Sequence, residues 1–362
     1  MKPIIDPYGS ELIADYQKLI TDFGLEPFPA NAFPNPNRLM RRNIIFAGRG
    51  LDAIAKAIRE HKPYYVLTGI MPTAEKIHLG TKMVIEQVKY YQDHGAETYV
   101  LVADLEAAAA REVTLDEAKN RALAFHIPAY IALGLNPKKT TFYFQSENKQ
   151  VMHLAYEFSH KITLNEFRAV YGNADPARIL SALTQAGDIL YPQLAKRMPG
   201  IIPTGPDQDP HLRLARDIVR RSRDRKFIMP SSSYHKFMPA LNGAMKMSKS
   251  HPESYVELPE EASSIKKKIN RALTGGRDTL EEHKRLGAAI EKDMVFELLK
   301  FHLIEDDQEL QRIHGSYKAG TMASGEIKRI AIERLTAFMA DFEKKLDAAR
   351  KLVDRLGFVR FT

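Results

Sequence analysis

Three short apolar runs constrain the fold most: residues 64–69 (YYVLTG), 98–103 (TYVLVA) and 141–145 (TFYFQ). Each has the length of a buried strand, and segments of helical period separate them. In the first such segment Ile85 and Val88 share one face, Glu86, Lys89 and Gln92 take the other, and Gly95 ends it. The second, about residues 117–133, leads to Gly134. Strands that alternate with helices pair in parallel, because the crossover returns each strand to the same edge of the sheet. Residues 200–204 and 226–229 supply two further strands. An α/β domain with a parallel sheet follows.

The flanks read differently. Residues 1–61 form a helical N-terminal extension, with Tyr16, Leu19, Ile20 and Phe23 on one face and Gly24 as the stop. Residues 62–260 hold the sheet, interrupted by a helical insertion over about 147–199. Residues 261–362 are helical throughout. Asp278 and Glu281 make a capping pair before one helix, and Ile327, Ala331, Leu335, Phe338, Phe342, Leu346, Ala349, Val353 and Leu356 line the last. No apolar run approaches the roughly 18 residues of a membrane span. The opening MKPIIDPYGSEL meets Asp and Gly too early to be a signal peptide. Zero cysteines exclude disulfides and thiolate zinc sites, which fits a cytoplasmic chain, and a net charge of +8 favours a polyanionic partner.

Two stretches carry chemistry. Residues 237–252 (FMPALNGAMKMSKSHP) place Lys246 and Lys249 three apart, with Ser248 and Ser250 between and beyond, just after a glycine turn in the 243–252 loop. A short cationic loop of this kind suits closure over a polyphosphate, following charge as it builds on the leaving oxygens. His78, Leu79 and Gly80 open a helix just past the first strand, where a parallel sheet leaves its ligand crevice and helix N-termini attract phosphate. There His78 would donate to a phosphate and Gly80 would let an adenine ring lie against backbone. Taken singly, the lysine loop also reads as a solvated loop, and His78 as a helix cap.

Together, HLGT at 78–81 and KMSKS at 246–250 resemble class I aminoacyl-tRNA synthetases, whose signatures are written HIGH and KMSKS. Several segments resemble the tryptophanyl-tRNA synthetases of archaeal and eukaryotic type: TGGRDTLEEH (274–283), GPDQDPHLRLARD (205–217), SGEIK (324–328), DYQKLITDFG (15–24), and Arg41, Arg42 and Phe46 in their spacing. The resemblance implies a Rossmann-type catalytic domain with a helical insertion, followed by a helical anticodon-binding domain. It implies activation of L-tryptophan by ATP with Mg2+, no other metal, transfer to tRNA(Trp), and a cytoplasmic homodimer. Carried over by position, His78, Lys246 and Lys249 are catalytic. His78, Gly80, Thr81, Asp207, Met247, Ser248 and Lys249 hold ATP, and Leu67, Glu106, Gln185, Asp188 and Gln208 hold tryptophan. Thr81 departs from the usual His of the fourth signature position. AGRG at 47–50 departs from the family's SHRD, so no role is carried onto it.

Three alternatives stand beside this reading. Gln185, Asp188 and the VADLEA stretch also resemble tyrosyl-tRNA synthetases, although Leu67 stands where those enzymes have a Tyr for the substrate hydroxyl. A non-catalytic paralogue binding tRNA or tryptophan is compatible with Thr81, but has no need of an intact KMSKS. A small-molecule nucleotidyltransferase would not need the long helical C-terminal part. For tRNA phosphates the candidates are Arg220, Arg221, Arg223, Arg225 and Lys226, with Lys266, Lys267, Lys268 and Arg271. Ile265, Ile269 and Leu273 share one face, which turns the three lysines outward.

Overall fold

The computed structural model describes residues 16–110, 113–244 and 252–353. Two compact units make up the chain. The first draws on residues up to Glu75, on Val84–Lys236 and on residues from Ala349; the second comprises Lys76–Met83 and Phe237–Ala348.

Among the described residues nine strands run in chain order: β1 (Glu26–Pro27), β2 (Ile45–Arg49), β3 (Tyr65–Ile70), β4 (Ile77–His78), β5 (Glu97–Val102), β6 (Thr140–Phe144), β7 (Gly200–Thr204), β8 (Ser231–His235) and β9 (Glu257–Leu258). In the first unit seven of them form a sheet in the order β1-β2-β8-β7-β3-β5-β6. The last five of that order run parallel, while β2 joins β8, and β1 joins β2, antiparallel. The apolar runs become the parallel strands β3, β5 and β6, the last at the sheet's edge, because a parallel strand is covered on both faces and must be hydrophobic on both. Tyr65 of β3 sits opposite Gly200 of β7, and a Cβ on Gly200 would stand 1.9 Å from the Tyr65 ring. The missing side chain lets that ring lie across β7 and donate its hydroxyl to Ile189 O at 2.6 Å.

Two expectations need correction here. Residues 1–61 are not wholly helical, since β1 and β2 extend the sheet, and Ile45, Phe46 and Ala47 are buried in it. The strand expected at 226–229 lies instead at Ser231–His235. Its serines are buried and satisfied inside the protein: Ser231 Oγ donates to Gly50 O, Ser232 Oγ to the Tyr234 hydroxyl and Ser233 Oγ to Gln87 Oε1. A serine with its hydroxyl bonded fills a core position as a small residue, which hydropathy alone does not register.

Between β6 and β7 the helices Lys149–Phe158, Leu164–Tyr171 and Pro176–Leu190 pack on the sheet. Thr163 and Glu166 form a full capping box at the start of the second. Val151, Phe158 and Ala186 of these helices share one core cluster with Leu67, Leu101 and Ile202 of the strands, so the insertion and the sheet are energetically continuous.

In the second unit β4 pairs antiparallel with β9, and helices Ala262–Arg271, Leu280–Leu286, Met294–Leu298, Asp307–Lys318 and Ser324–Val353 follow, the last continuing past Ala348. The longer of its two stretches begins at Phe237, earlier than the change to helical texture at 261. The N-cap of Leu280–Leu286 is Thr279, which accepts from Glu282 N at 3.1 Å, rather than Asp278. Along the last helix Ile327, Ala331, Leu335, Met339, Phe342 and Leu346 are buried. Met339 takes the place expected for Phe338, whose ring is only partly buried and has the Lys82 ammonium 5.3 Å above it. Leu356 lies outside the described residues.

Candidate active site

A cavity of about 270 Å³ opens at the carboxyl ends of β3, β5 and β7. Strand order reverses between β3 and β7, and the crossovers diverge there to opposite faces, leaving a crevice. The apolar wall comes from Leu67, Ile70, Leu101, Ile202 and Leu212. Polar groups converge from three helices. Glu106 stands in the first turn of Asp104–Ala110, immediately past β5. Gln185 and Asp188, three apart on Pro176–Leu190, share a face of that helix. Gln208 and His211 lie at the start of Asp209–Arg221. All five residues expected to hold the amino acid, Leu67, Glu106, Gln185, Asp188 and Gln208, line this one cavity.

Behind the wall is a hub that the sequence reading did not single out. Gln145, just past β6, donates through Nε2 to Glu106 Oε1 at 3.0 Å and to Asp188 Oδ2 at 2.7 Å. Gln185 Nε2 donates to Glu106 Oε2 at 2.6 Å, and the Tyr143 hydroxyl to Asp188 Oδ1 at 2.9 Å. Burial pushes the Glu106 carboxyl above its usual range, against the hydrogen bonds from Gln145, Gln185 and Ser181. It pushes Asp188 well above, against those from Gln145 and Tyr143. The only sequence signal for Gln145 was a polar residue ending an apolar run, at the end of a parallel strand where ligands collect.

On the opposite side Tyr171's hydroxyl lies 3.0 Å from His211 Nδ1, and burial lowers the His211 pKa to about 3, which leaves the ring neutral. The neighbouring Asp209 is buried and takes Arg49 through Nε at 3.1 Å and Nη2 at 3.2 Å, with the Tyr234 hydroxyl at 2.5 Å. Arg49 also donates to Phe23 O at 2.8 Å, so the arginine of AGRG ties the first helix to the sheet. Asp207 is partly buried on the turn Pro206–Gln208. The loop leaving β3 is held from the side: Arg121 Nη1 donates to Thr73 O at 3.0 Å, and His126 Nε2 is 2.8 Å from Ala74 O.

His78, Gly80 and Thr81 belong to the second unit, at β4 and the first turn of Leu79–Asp93. His78 Nδ1 accepts from Gly80 N at 3.0 Å, so the imidazole does cap the helix. An accepting Nδ1 carries no proton, which leaves the ring proton on Nε2. A Cβ at Gly80 would stand 2.7 Å from His78 Cε1; the glycine makes room for this ring, where the sequence reading reserved the space for an adenine. Lys246, Met247, Ser248 and Lys249 lie outside the described residues. The stem before them is held by Leu241 N to Ser254 O at 2.8 Å and Ala240 N to Ala244 O at 2.7 Å.

Several cations assigned to phosphate have acidic partners. Arg221 and Arg225 pair with Glu166 and Glu157 of the insertion, each at 2.6 Å, and Arg220 pairs with Asp217 at 2.5 Å. Lys268 turns inward to Glu260 at 2.5 Å and to Tyr255 O at 2.8 Å, so only Lys266 and Lys267 of that triplet face solvent. Leu273, expected on the buried face, is 46% exposed. Among the described residues no group of three or more His, Cys, Asp or Glu is arranged to hold a metal ion, and no helix is long and apolar enough to cross a membrane.

The sequence profile of the family described as tRNA synthetases class I (W and Y) matches residues 59–340. The chain is 38% identical over 362 residues to a tryptophan–tRNA ligase of Methanocaldococcus jannaschii, covering 97% of each. It is 40% identical over 363 residues to that of Aeropyrum pernix, again covering 97% of each. Among solved structures, the Aeropyrum pernix tryptophanyl-tRNA synthetase superposes with a TM-score of 0.89 at 40% identity, covering 98% of this chain and 100% of that one. An Encephalitozoon cuniculi tryptophanyl-tRNA synthetase bound to tryptophan gives 0.86 at 26% identity, covering 96% and 99%. A parallel-sheet cavity lined by an acid–amide cluster, in a chain alike over nearly its whole length to these enzymes, leaves one family: the chain belongs to the class I aminoacyl-tRNA synthetases, among the tryptophanyl-tRNA synthetases.

Proposed function

We propose that this chain uses ATP to convert L-tryptophan to tryptophanyl-adenylate, and then transfers the tryptophanyl group to the 3′ end of tRNA(Trp). The observation that carries this reading is the cavity itself. It has amino-acid size, an apolar wall for an indole, and carboxyl groups on its far side for the polar end and the ring N–H. Glu106 and Gln185 would take the ammonium, Asp188 the indole N–H, and Gln208 the substrate's remaining polar edge, with Leu67 in the wall.

In the first step a substrate carboxylate oxygen bonds to the α-phosphorus of ATP while the bond to the pyrophosphate oxygen breaks. His78 through Nε2–H, with Lys246 and Lys249, would meet the charge that builds on the phosphates. Gly80, Thr81, Asp207, Met247 and Ser248 would seat the rest of the nucleotide. Mg2+ would arrive on the ATP phosphates and supply further charge neutralisation there. In the second step a terminal ribose hydroxyl of tRNA attacks the adenylate carbonyl and AMP leaves. Positioning and electrostatics account for such a rate without a covalent enzyme intermediate. The helical second unit would read the anticodon. Exposed apolar residues on the insertion would pair two copies in a cytoplasmic homodimer.

The test is amino-acid-dependent ATP–pyrophosphate exchange with tryptophan, tyrosine and phenylalanine. Tryptophan should lead; faster exchange with tyrosine would sink the reading. Lys249→Ala should slow exchange about a hundredfold with little change in tryptophan binding. The chain contains no tryptophan, so indole emission comes only from the ligand, free or bound. It should shift to the blue on binding, and Glu106→Ala or Gln185→Ala should each weaken the midpoint by roughly 1–3 kcal/mol.

A further inference from the structure

Glu106 and Asp188 come from different helices, yet both reach one donor group. Gln145 Nε2 stands 3.0 Å from Glu106 Oε1 and 2.7 Å from Asp188 Oδ2. The carboxyls are 3% and 0% exposed by residue. The groups that face them are neutral or acidic: Gln145, Gln185, Ser181 and Tyr143 as hydrogen-bond partners, and Asp104 as a third buried carboxyl, itself bonded to Ser146. His211, across the cavity, is neutral and Tyr143 keeps its proton. Two like charges so deeply buried, with no cation beside them among the described residues, do not both ionise.

We propose that the Glu106–Asp188 pair, bridged by the Gln145 amide, holds one proton in the free protein, and that the ammonium of the arriving amino acid drives that proton into solvent. The balance is simple. One carboxyl O–H bond breaks, its proton passes to water, and the ammonium N–H groups take the place of the lost positive charge. Counted over the two carboxyls and the ammonium alone, the charge is the same before and after, so neither state holds an uncompensated pair of carboxylates; the substrate's own carboxylate is left to the ATP side. Gln145 is a positioning residue in this scheme, because it bridges the two carboxyls from behind the cavity wall. The pair also acts on specificity, since a ligand without an ammonium supplies no cation to replace the proton. Burial holds both carboxyls above their ordinary range, in the direction the scheme requires.

The proposal rests on the reading of this cavity as the amino-acid site, and the experiment separates the two. L-tryptophan is titrated calorimetrically into the full chain near pH 7, in buffers of low and of high ionisation enthalpy. Release of about one proton per tryptophan should make the observed heat differ between buffers by the buffer's own ionisation heat. The Asp188→Asn protein should bind with a release near zero. Tight binding with the same heat in every buffer would overturn the shared proton and leave the amino-acid site standing. No binding in any buffer would overturn the site, and the proposal with it. Should Asp188→Asn fail to fold, the infrared difference spectrum of the unaltered chain decides. A protonated-carboxyl C=O band must vanish when tryptophan is added, and its persistence counts against the scheme.

Discussion

His211 is 2% exposed beside the cavity, and burial depresses its pKa to about 3 from the ordinary 6.5. Above pH 6.5 the ring is neutral both folded and unfolded. As pH falls through 6.5 towards about 3 the unfolded chain takes the proton first, and stability is lost at up to about 1.4 kcal/mol per pH unit. His211→Gln keeps a polar group but cannot titrate there. Its melting temperature should therefore fall less than that of the unaltered chain between about pH 7 and pH 5; equal slopes would show that His211 gains its proton while folded. Asp188 has the opposite sign. Its carboxyl is raised when folded, so its share of stability is full below the unfolded value and declines as pH rises through the folded one. Asp188→Asn should then gain on the unaltered chain as pH rises from about 4 to 7, and thermal melts across that range would read it. Sequence could name both residues, but not their protonation, because burial comes from elements far apart in the chain.

At the scale of elements, the TGGRDTLEEH stretch is explained by one buried carboxylate. Asp293 accepts from Gly275 N at 2.8 Å, from Phe296 N at 2.7 Å and from the Tyr317 hydroxyl at 2.7 Å, tying this loop to two helices. Asp293→Ala strands three donors at once and should cost at least about 3 kcal/mol of the second unit's stability, read from the denaturant midpoint. A loss below about 1 kcal/mol would mean that water replaces the carboxylate there. Other elements show why legibility varies. The strands β3, β5 and β6 were plain in the sequence because a parallel strand covered on both faces has to be apolar on both. β8 was not, because its core positions are filled by hydroxyls satisfied from distant residues, and the apolar FIM run before it was the stronger local signal.

At the scale of the whole molecule, the helices of the insertion leave an apolar surface uncovered. Tyr156 is 85% exposed and Leu180 63% exposed, and Met152 stands one turn before Tyr156 on the same helix face. A surface of this kind suits a second copy of the chain. On the proposed pairing, the unaltered protein should sediment as a dimer and Tyr156→Asp as a monomer, with its circular dichroism unchanged. A variant still dimeric at low micromolar concentration would place the contact elsewhere.

The alternation of apolar strands with helical periods determined the α/β class by itself, since period and run length are local properties of the chain. The signature stretches, His78 with Gly80 and the KMSKS loop, likewise determined the family, because short motifs at set spacing survive in sequence alone. The five residues proposed for the amino acid were named by position in that family, and they line one cavity. What only the tertiary structure decided was how they act on each other. Gln145 joins Glu106 to Asp188, Arg49 reaches Asp209, and Arg221 and Arg225 turn to acids of the insertion. Each of these pairs is far apart in the chain. Their energies depend on distance and burial in three dimensions, which no local pattern of residues encodes.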